Sequence, residues 1–156
     1  MNPEKYMREA IALAADGMRS GRGGPFGCVI VQQESIIARG DNRVTSENDP
    51  TAHAEITAIR EACRQLGRFS LPDCELYTSC EPCPMCLAAI YWARLDRIYF
   101  ANSREDAAAI GFDDALIYGE VSKPIGNRII PTIKLALPEA EAVFAEWQAK
   151  PDKVQY

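Results

Sequence analysis

Apolar side chains near the start of the chain recur at helical spacing. The positions that fit one helix face are Tyr6, Ala10, Ile11, Ala14 and Met18. Asn2 is a favoured N-cap residue, and Pro3 suits the first helical position, where a missing N–H costs nothing. Glycines at positions 21, 23 and 24 interrupt the pattern. The spacing therefore predicts an amphipathic first helix that begins at residue 3, ends before these glycines and packs one face inward.

Short apolar runs bounded by polar residues predict four strands. They occupy residues 27–31, 36–38, 75–79 and 97–101. The polar stretch 32–35 joins the first two strands, which predicts a short antiparallel hairpin. A predicted helix separates the last two strands, and a β-α-β order implies a parallel pair with a right-handed crossover. The sheet should therefore be mixed, with the hairpin on one side.

Three more helices are predicted in the remaining intervals, over residues 51–67, 84–93 and 138–150. The sequence Asp49-Pro50-Thr51 opens the first of them and Gly67 stops it, while Pro84 opens the second. A polar tail ending in Tyr156 follows the third. Because no repeat and no long Gly/Ser/Pro-rich linker divides the chain, we predict one α/β domain.

Length, composition and charge narrow the possible functions. The chain has 156 residues, of which 47% are apolar and 25% charged, a composition typical of one globular domain. Its formal charge of −5 and its pI near 5.0 lack the basic balance of a polyanion binder, so nucleic acid is not an expected partner. The longest apolar run, residues 86–93, is far shorter than the ~18 residues that cross a bilayer. Residues 1–6 lack the features of a secretory signal, so we expect a cytoplasmic protein without membrane contact.

The clearest chemical pattern combines cysteines with the single histidine of the chain. Cys80, Cys83 and Cys86 form two overlapping Cys-x-x-Cys spacings at a strand-to-helix junction, and thiolates with an imidazole favour Zn²⁺. The histidine, His53, lies two residues before Glu55 at a helix start. Three ligands, His53, Cys83 and Cys86, leave a fourth position for water, whose pKa zinc lowers to about 7. We therefore predict one zinc ion per chain, with Glu55 as the proton carrier beside it.

Two other interpretations of the cysteines are considered. A closed Cys₃His structural site would use Cys80 as its fourth ligand, and a redox dithiol would use a Cys-x-x-Cys pair alone. A chain of this length does not need a structural zinc ion to hold its fold, and a redox pair leaves His53 and Glu55 without a function. The remaining cysteines, at positions 28, 63 and 74, have no ligand spacing and are expected to be small core residues. The open site with three protein ligands is the favoured hypothesis.

Several further residues are undecided from spacing alone. Asp113 and Asp114 precede an apolar stretch, so they suit the cap of a helix. Asn42, Phe26 and Trp92 suit ordinary turn or core positions. A functional role for any of them needs support from outside the local sequence.

Motifs along nearly the whole chain resemble those of bacterial guanine deaminases, which belong to the cytidine-deaminase-like superfamily of zinc deaminases. The matching segments are 23–27, 49–55, 77–86, 90–94 and 111–114, together with Tyr156. The sequences His53-Ala54-Glu55 and Pro82-Cys83-Pro84-Met85-Cys86 mark the superfamily, and tRNA adenosine deaminases share them. Phe112-Asp113-Asp114 and the terminal tyrosine are similar to guanine deaminases in particular.

The resemblance implies both a fold and an assembly. The fold is α/β, a cytidine-deaminase-like three-layer α-β-α sandwich around a central mixed five-stranded sheet, with residues 1–156 forming one zinc-dependent deaminase domain. The assembly is a homodimer in which the C-terminal helix and tail, residues 138–156, cross to the partner. Tyr156 would then close the neighbouring active site.

The resemblance also implies a reaction, the zinc-dependent hydrolysis of guanine at C2 to xanthine and ammonia, with a small purine base as substrate. Glu55 carries the proton, and Asp114 contacts the purine and assists proton transfer. The residues that match the substrate-binding positions of the family are Asn42, Phe26, Ala54, Trp92 and Tyr156. Asn42 suits a purine edge because an amide both donates and accepts hydrogen bonds.

Other functions remain as alternatives. Guanosine, a pterin-like base or a triazine could replace guanine, because the size of a pocket cannot be read from sequence. A tRNA adenosine deaminase would need a basic face for RNA, which a charge of −5 does not favour. A zinc-stabilised binding module without catalysis would use the closed four-ligand site. Guanine deamination is therefore the preferred prediction.

Overall fold

The structure, a computed structural model, describes residues 2–156. Its helices are α1 (Pro3–Arg19), α2 (Val44–Glu47), α3 (Ala54–Leu66), α4 (Pro84–Trp92), α5 (Arg104–Ala109), α6 (Ala115–Ser122) and α7 (Pro138–Ala149), with a 3₁₀ turn at Ile125–Asn127. Its strands are β1 (Gly27–Gln32), β2 (Ser35–Asp41), β3 (Cys74–Cys80) and β4 (Arg97–Asn102). The chain divides into two compact units, one ending at Asp114 and the other spanning Ala115–Tyr156.

A mixed sheet organises the first unit. Its strand order is β2-β1-β3-β4, with β1 antiparallel to both β2 and β3, and with β3 parallel to β4. The predicted hairpin and parallel crossover are therefore confirmed. Across residues 2–156, however, the sheet has four strands rather than the expected five. The apolar segment 129–137 is irregular, and Pro131 within it lacks the N–H that a strand ladder uses.

Alternate residues of the central strands face two separate cores. One core contains Cys28, Ile30, Cys74, Leu76, Ile90 of α4 and the α3 alanines at positions 54, 58 and 62. The other contains Val29, Val31, Tyr77 and Tyr6 of α1. A period of two is what a strand buried on both faces requires. The result is the predicted three-layer arrangement, with α1 on one face of the sheet and α3 and α4 on the other.

Two glycines let helix backbones touch the sheet directly. A Cβ atom at Gly40 of β2 would lie 2.2 Å from the Ala54 carbonyl oxygen and 2.6 Å from the Ala58 nitrogen of α3. A Cβ atom at Gly27 of β1 would likewise lie 2.2 Å from the Ala10 carbonyl oxygen of α1. Contacts this short exclude any side chain, so glycine is required at both positions. Gly40 thereby fixes the first turn of α3 against the sheet.

Helix α3 begins at Ala54 rather than near residue 51. Asp49 accepts hydrogen bonds from the backbone N–H and the hydroxyl of Thr51, at 2.8 and 2.7 Å, so this segment forms a side-chain-stabilised turn instead of a helix start. His53 is the N-cap, with extended backbone. Gly67 ends the helix in the left-handed conformation, with φ of 62°, which confirms it as the stop.

The second unit leaves its apolar side chains exposed. None of residues 115–156 is buried. Ile133, Leu135 and Phe144 have exposed fractions of 78%, 82% and 80%. Apolar exposure on this scale is typical of an interaction surface. Among the helices of residues 2–156, none has the length and the apolar character of a bilayer-spanning segment.

Candidate active site

Three predicted metal ligands meet where the first turns of α3 and α4 come together. His53 is the N-cap of α3, Cys83 is the N-cap of α4, and Cys86 lies in the first turn of α4. The His53 Nδ1 atom lies 3.5 Å from the Sγ atoms of both Cys83 and Cys86. In the described part of the chain, they are the one group of three or more His, Cys, Asp or Glu residues whose ligand atoms all lie within 4.8 Å of one another.

The spacing of these atoms suits tetrahedral zinc. A Zn–S bond of about 2.3 Å and a Zn–N bond of about 2.1 Å separate a nitrogen and a sulfur ligand by about 3.6 Å. The start of α4 also directs its unpaired N–H groups and the positive end of its dipole towards the cysteines, which favours thiolate. The three residues therefore fit a zinc ion as they stand.

The two cysteines of this cluster hold one proton between them. A hydrogen bond from Cys86, with a second interaction from His53, lowers the pKa of the Cys83 thiol to about 4. The same hydrogen bond, together with burial, raises the pKa of Cys86. Contact with Cys83 raises the pKa of His53. One thiolate is therefore present at neutral pH, and metal binding displaces the proton of the other.

Cys80 lies outside the ligand cluster. It is buried at the end of β3, and its thiol donates a hydrogen bond to the Ser103 carbonyl oxygen at 3.6 Å. Burial raises the pKa of Cys80 to about 11, which disfavours the thiolate that a metal requires. This arrangement supports a site with three protein ligands over a closed Cys₃His site. The cysteines at positions 28, 63 and 74 belong to the core or pack against it.

Glu55 lies in the first turn of α3 and is nearly buried, with 6% of its surface exposed. Burial raises the pKa of its carboxyl group, which also has hydrogen bonds with Thr78 and Cys86. The Thr78 hydroxyl donates to Glu55 Oε1 at 2.9 Å. A carboxyl group with a raised pKa beside the ligands suits proton transfer near neutral pH. The structure thus brings the predicted proton carrier to the ligand cluster.

Asn42 is nearly buried directly after β2, and its amide is already partly engaged. Its Oδ1 atom accepts hydrogen bonds from the backbone N–H groups of Gly24 and Val44, both at 3.2 Å. These bonds occupy the acceptor end of the amide and leave the Nδ2 donors for a ligand. Asn42 therefore suits an acceptor atom of a purine ring, a narrower role than the combined donor and acceptor that the sequence suggested.

A buried carboxylate holds the loop that carries Asn42. Asp41 is 4% exposed and accepts hydrogen bonds from Arg22 and Arg43. Burial opposes ionisation of Asp41, but the two guanidinium groups outweigh it and hold its pKa below the ordinary value. Asp41 is therefore a stable anion that ties together the end of β2 and the loop preceding β1.

Aromatic and acidic side chains from the end of the first unit belong to the same candidate region. Phe26 packs edge-on against Phe112, with ring centroids 4.9 Å apart. Asp114 is half-buried and lies 3.9 Å from the Arg104 guanidinium, whereas Asp113 is exposed. Burial raises the pKa of Asp114, and the charge of Cys83 adds to this effect. Asp114, not Asp113, is therefore the acid better suited to a role near the cysteines.

The remaining predicted substrate-binding residues differ in placement. Ala54 is fully buried at the first position of α3, between His53 and Glu55. Trp92 ends α4, about 12 Å along the helix axis from its first residue. The side chain of Trp92 is 62% exposed, and that of Tyr156, in the second unit, is 74% exposed. Roles for Trp92 and Tyr156 in substrate binding stay predictions.

Comparison with known proteins places the chain in a family. The model of the cytidine and deoxycytidylate deaminase zinc-binding region matches residues 1–102, a range that contains His53, Cys83 and Cys86. The chain belongs to this zinc-binding deaminase family. The deaminase is 53% identical to guanine deaminase from Bacillus subtilis strain 168 over 156 residues, which cover 100% of both chains.

Solved structures agree with this assignment. An X-ray structure of guanine deaminase from Bacillus subtilis matches with a TM-score of 0.97 and 52% identity, over 100% of the deaminase and 99% of that chain. Guanine deaminase from Nitrosomonas europaea matches with a TM-score of 0.70 and 35% identity, over 73% and 66% of the two chains. In sequence alone, a tRNA-specific adenosine deaminase from Agrobacterium fabrum is 46% identical over 86 residues, which cover 55% of the deaminase and 57% of that protein. The predicted superfamily fold and zinc-binding character are confirmed.

Three contacts of the deaminase were not found by motif spacing. Thr78 and the adjacent Ser79 are polar residues at buried positions of β3, and that mismatch was the available signal. Asp41 immediately precedes Asn42, but its partners come from two different loops. Phe112 was identified as a family marker and not as the ring that packs on Phe26.

Single serine substitutions in the deaminase test the ligand set. We expect Cys83→Ser and Cys86→Ser to bind zinc well below one equivalent per chain, because a neutral hydroxyl is a poor zinc ligand. Cys80→Ser is the matched control and should keep the wild-type zinc content. Atomic absorption after gel filtration measures the metal, and the spectrum of the cobalt-substituted protein reports the ligands. Loss of zinc from Cys80→Ser would restore the closed four-ligand site.

Proposed function

We propose that the deaminase hydrolyses guanine to xanthine and ammonia, with one zinc ion bound per chain. The observation that carries this proposal is the 53% identity, over the full length of both chains, to a protein named guanine deaminase. The ligand cluster of His53, Cys83 and Cys86 beside a buried carboxyl group supports it chemically. In this proposal, residues 1–156 act as one catalytic domain.

The metal and the carboxyl groups divide the chemistry. When bound, zinc supplies a polarised water with a pKa of about 7, and two thiolates balance its charge. The carboxyl group of Glu55 is buried beside Cys86. It takes up a proton from the attacking water and returns it to the departing amino nitrogen. Asp114, whose pKa is raised by burial, contacts the purine and assists proton transfer on that side.

The remaining residues orient the base. The Nδ2 group of Asn42 donates to an acceptor atom of the purine ring, since the Oδ1 atom is held by two backbone N–H groups. Phe26 and Phe112 supply apolar surface for the ring. Ala54 is small and fully buried next to Glu55, and the family resemblance assigns it to the binding of the base.

A tRNA substrate is less well supported. The tRNA-specific adenosine deaminase from Aquifex aeolicus matches 96% of the chain at 31% identity, against 100% of the chain at 53% identity for the guanine deaminase. A formal charge of −5 also opposes binding to an RNA backbone. A nucleoside or another amino-heterocycle remains the alternative within the same chemistry. Residence in the cytoplasm stays a prediction.

We also propose that two copies form a homodimer in which residues 138–156 cross to the partner. The second unit spans Ala115–Tyr156, close to the limit of roughly 40 residues below which a segment rarely holds a core of its own. It exposes large apolar side chains such as Leu135 and Phe144. The first unit offers the edge strand β4 with Phe100, which is 49% exposed. A second copy covers both exposed surfaces, and Tyr156 then closes the active site of the partner chain.

Substrate identity is tested by ammonia release from guanine, guanosine, adenine, cytosine, cytidine and a tRNA anticodon loop. We expect release from guanine, and we expect Glu55→Gln to lose about 10²–10⁴ in kcat while keeping its zinc, the usual contribution of a placed acid or base. Zinc content is measured in the same preparations. Unchanged turnover in Glu55→Gln would remove Glu55 from the mechanism, and release from another member of the panel but not from guanine would reassign the substrate.

The donor role of Asn42 is tested by two substitutions. Asn42→Asp keeps an oxygen for the N–H groups of Gly24 and Val44 but removes the amide donor, whereas Asn42→Ala removes both. We expect both variants to raise KM for guanine by about 10- to 100-fold with unchanged zinc content, because each leaves a purine acceptor unpaired. Steady-state kinetics measure the effect. A normal KM in Asn42→Asp alone would limit Asn42 to anchoring the loop.

The crossed tail is tested with mixed dimers. Glu55→Gln and Tyr156→Ala chains carrying different tags are co-expressed, and the dimer with both tags is purified. If Tyr156 acts in the neighbouring site, this dimer contains one complete site and regains activity that both parent dimers lack. If Tyr156 acts in its own chain, no site is complete and activity stays at the parental level. Light scattering measures the mass, and a monomeric wild-type protein would refute the dimer.

A further inference from the structure

A buried hydroxyl group contacts the carboxyl group of Glu55. Thr78 lies in β3 and has 0% of its surface exposed. Its Oγ1 atom donates a hydrogen bond to Glu55 Oε1 at 2.9 Å. Because both groups are buried, water does not compete for this bond, and its loss leaves the carboxyl group with one hydrogen-bond donor fewer. The mechanism described above gives Thr78 no role.

The sheet fixes the position of Thr78. In the strand ladder Thr78 pairs with Cys28 of β1 on one side and with Phe100 of β4 on the other. A residue between two hydrogen-bonded strands cannot shift without breaking both ladders. Its branched Cβ also restricts rotation about χ1. The hydroxyl is therefore held in one place on the sheet.

Glu55, in contrast, depends on its neighbours for orientation. Its side chain has three rotatable bonds, and its carboxyl group has hydrogen bonds with its own backbone N–H, with Thr78 and with Cys86. A thiolate has no proton to donate, so the contribution of Cys86 ends when that residue binds a metal. The hydrogen bond from Thr78 does not depend on the metal.

The hydroxyl also distinguishes the two carboxyl oxygens of Glu55. A threonine hydroxyl carries one proton, and that proton is committed to Oε1. Oε1 is therefore the carboxyl oxygen that Thr78 holds in place. We propose that Thr78 is a positioning residue that holds the Glu55 carboxyl group in the orientation needed for proton transfer. This inference rests on the proposed function, in which Glu55 carries the proton.

Three substitutions separate the hydroxyl from the volume of the side chain. Thr78→Val keeps the branched shape and loses the hydroxyl. Thr78→Ser and Thr78→Ala both lose the methyl group and differ from each other in the hydroxyl alone. Cys28→Ala is the matched packing control, because Cys28 is fully buried opposite Thr78 and its thiol lies 3.9 Å from the Val29 carbonyl oxygen.

Kinetics with guanine provide the first readout. We expect kcat to fall about 10- to 100-fold in Thr78→Val and Thr78→Ala, with KM within about 3-fold of wild type and with unchanged zinc content. Thr78→Ser and Cys28→Ala should stay within about 3-fold of wild-type kcat. Normal kcat in folded Thr78→Val, or an equal loss in Thr78→Ser and Thr78→Ala, would overturn the proposal. If Thr78→Val does not fold, the serine and alanine pair decides.

A second readout does not require catalysis. In crystal structures of the zinc-loaded proteins, Glu55 should adopt one conformation in wild type and Thr78→Ser, and a displaced or divided one in Thr78→Val and Thr78→Ala. An unchanged Glu55 in the last two would refute the positioning role. Absence of ammonia release from guanine by the wild-type protein would instead refute the proposed function, and the crystal structures would still decide the role of Thr78.

Discussion

The contact between the backbone of α3 and Gly40 of β2 is the constraint on which the candidate site depends. Since glycine has no Cβ, the Ala54 carbonyl lies directly on the strand, and the first turn of the helix is fixed in position. That turn carries Glu55, and its cap is His53. A shift of α3 by one turn would move His53 by about 5.4 Å. This is more than the 3.5 Å that separates its Nδ1 atom from each sulfur atom, so the ligand cluster would be lost. The metal centre is thus a consequence of how closely a helix can approach a sheet.

The parts of the molecule that follow from local sequence could be predicted. Short apolar runs predicted four strands, and the spacing of Cys83 and Cys86 predicted that both lie at the start of a helix, where they are the N-cap and a first-turn residue of α4. The predicted start of α3 was wrong because the Asp49 side chain accepts a hydrogen bond from the Thr51 backbone and forms a turn, so the helix begins only after this turn. The prediction also missed α5, because six residues are too few for a helical period to emerge, although Ser103 and Asp106 form a capping box. The orientation of the Asn42 amide depends on backbone N–H groups that no motif encodes.

The second unit shows a different limit of sequence analysis. Helix α7 was predicted over residues 138–150 and spans Pro138–Ala149. Pro138 at its first position accounts for where it begins, but no local signal accounts for its packing, because residues 115–156 bury no side chain within one chain. A hydrophobic pattern predicts that a surface needs to be covered. It does not say which molecule covers it.

The pairing of Cys83 with Cys86 has a consequence for the oxidation chemistry of the protein. A thiol with a pKa of about 4 is ionised at neutral pH, and the thiolate is the form that peroxides convert to sulfenic acid. A neighbouring thiol can condense with a sulfenic acid, releasing water and forming a disulfide, and Cys86 is the thiol that is hydrogen-bonded to Cys83. Zinc occupies the same two sulfur atoms. Metal binding and thiol oxidation would therefore compete for the same pair of side chains.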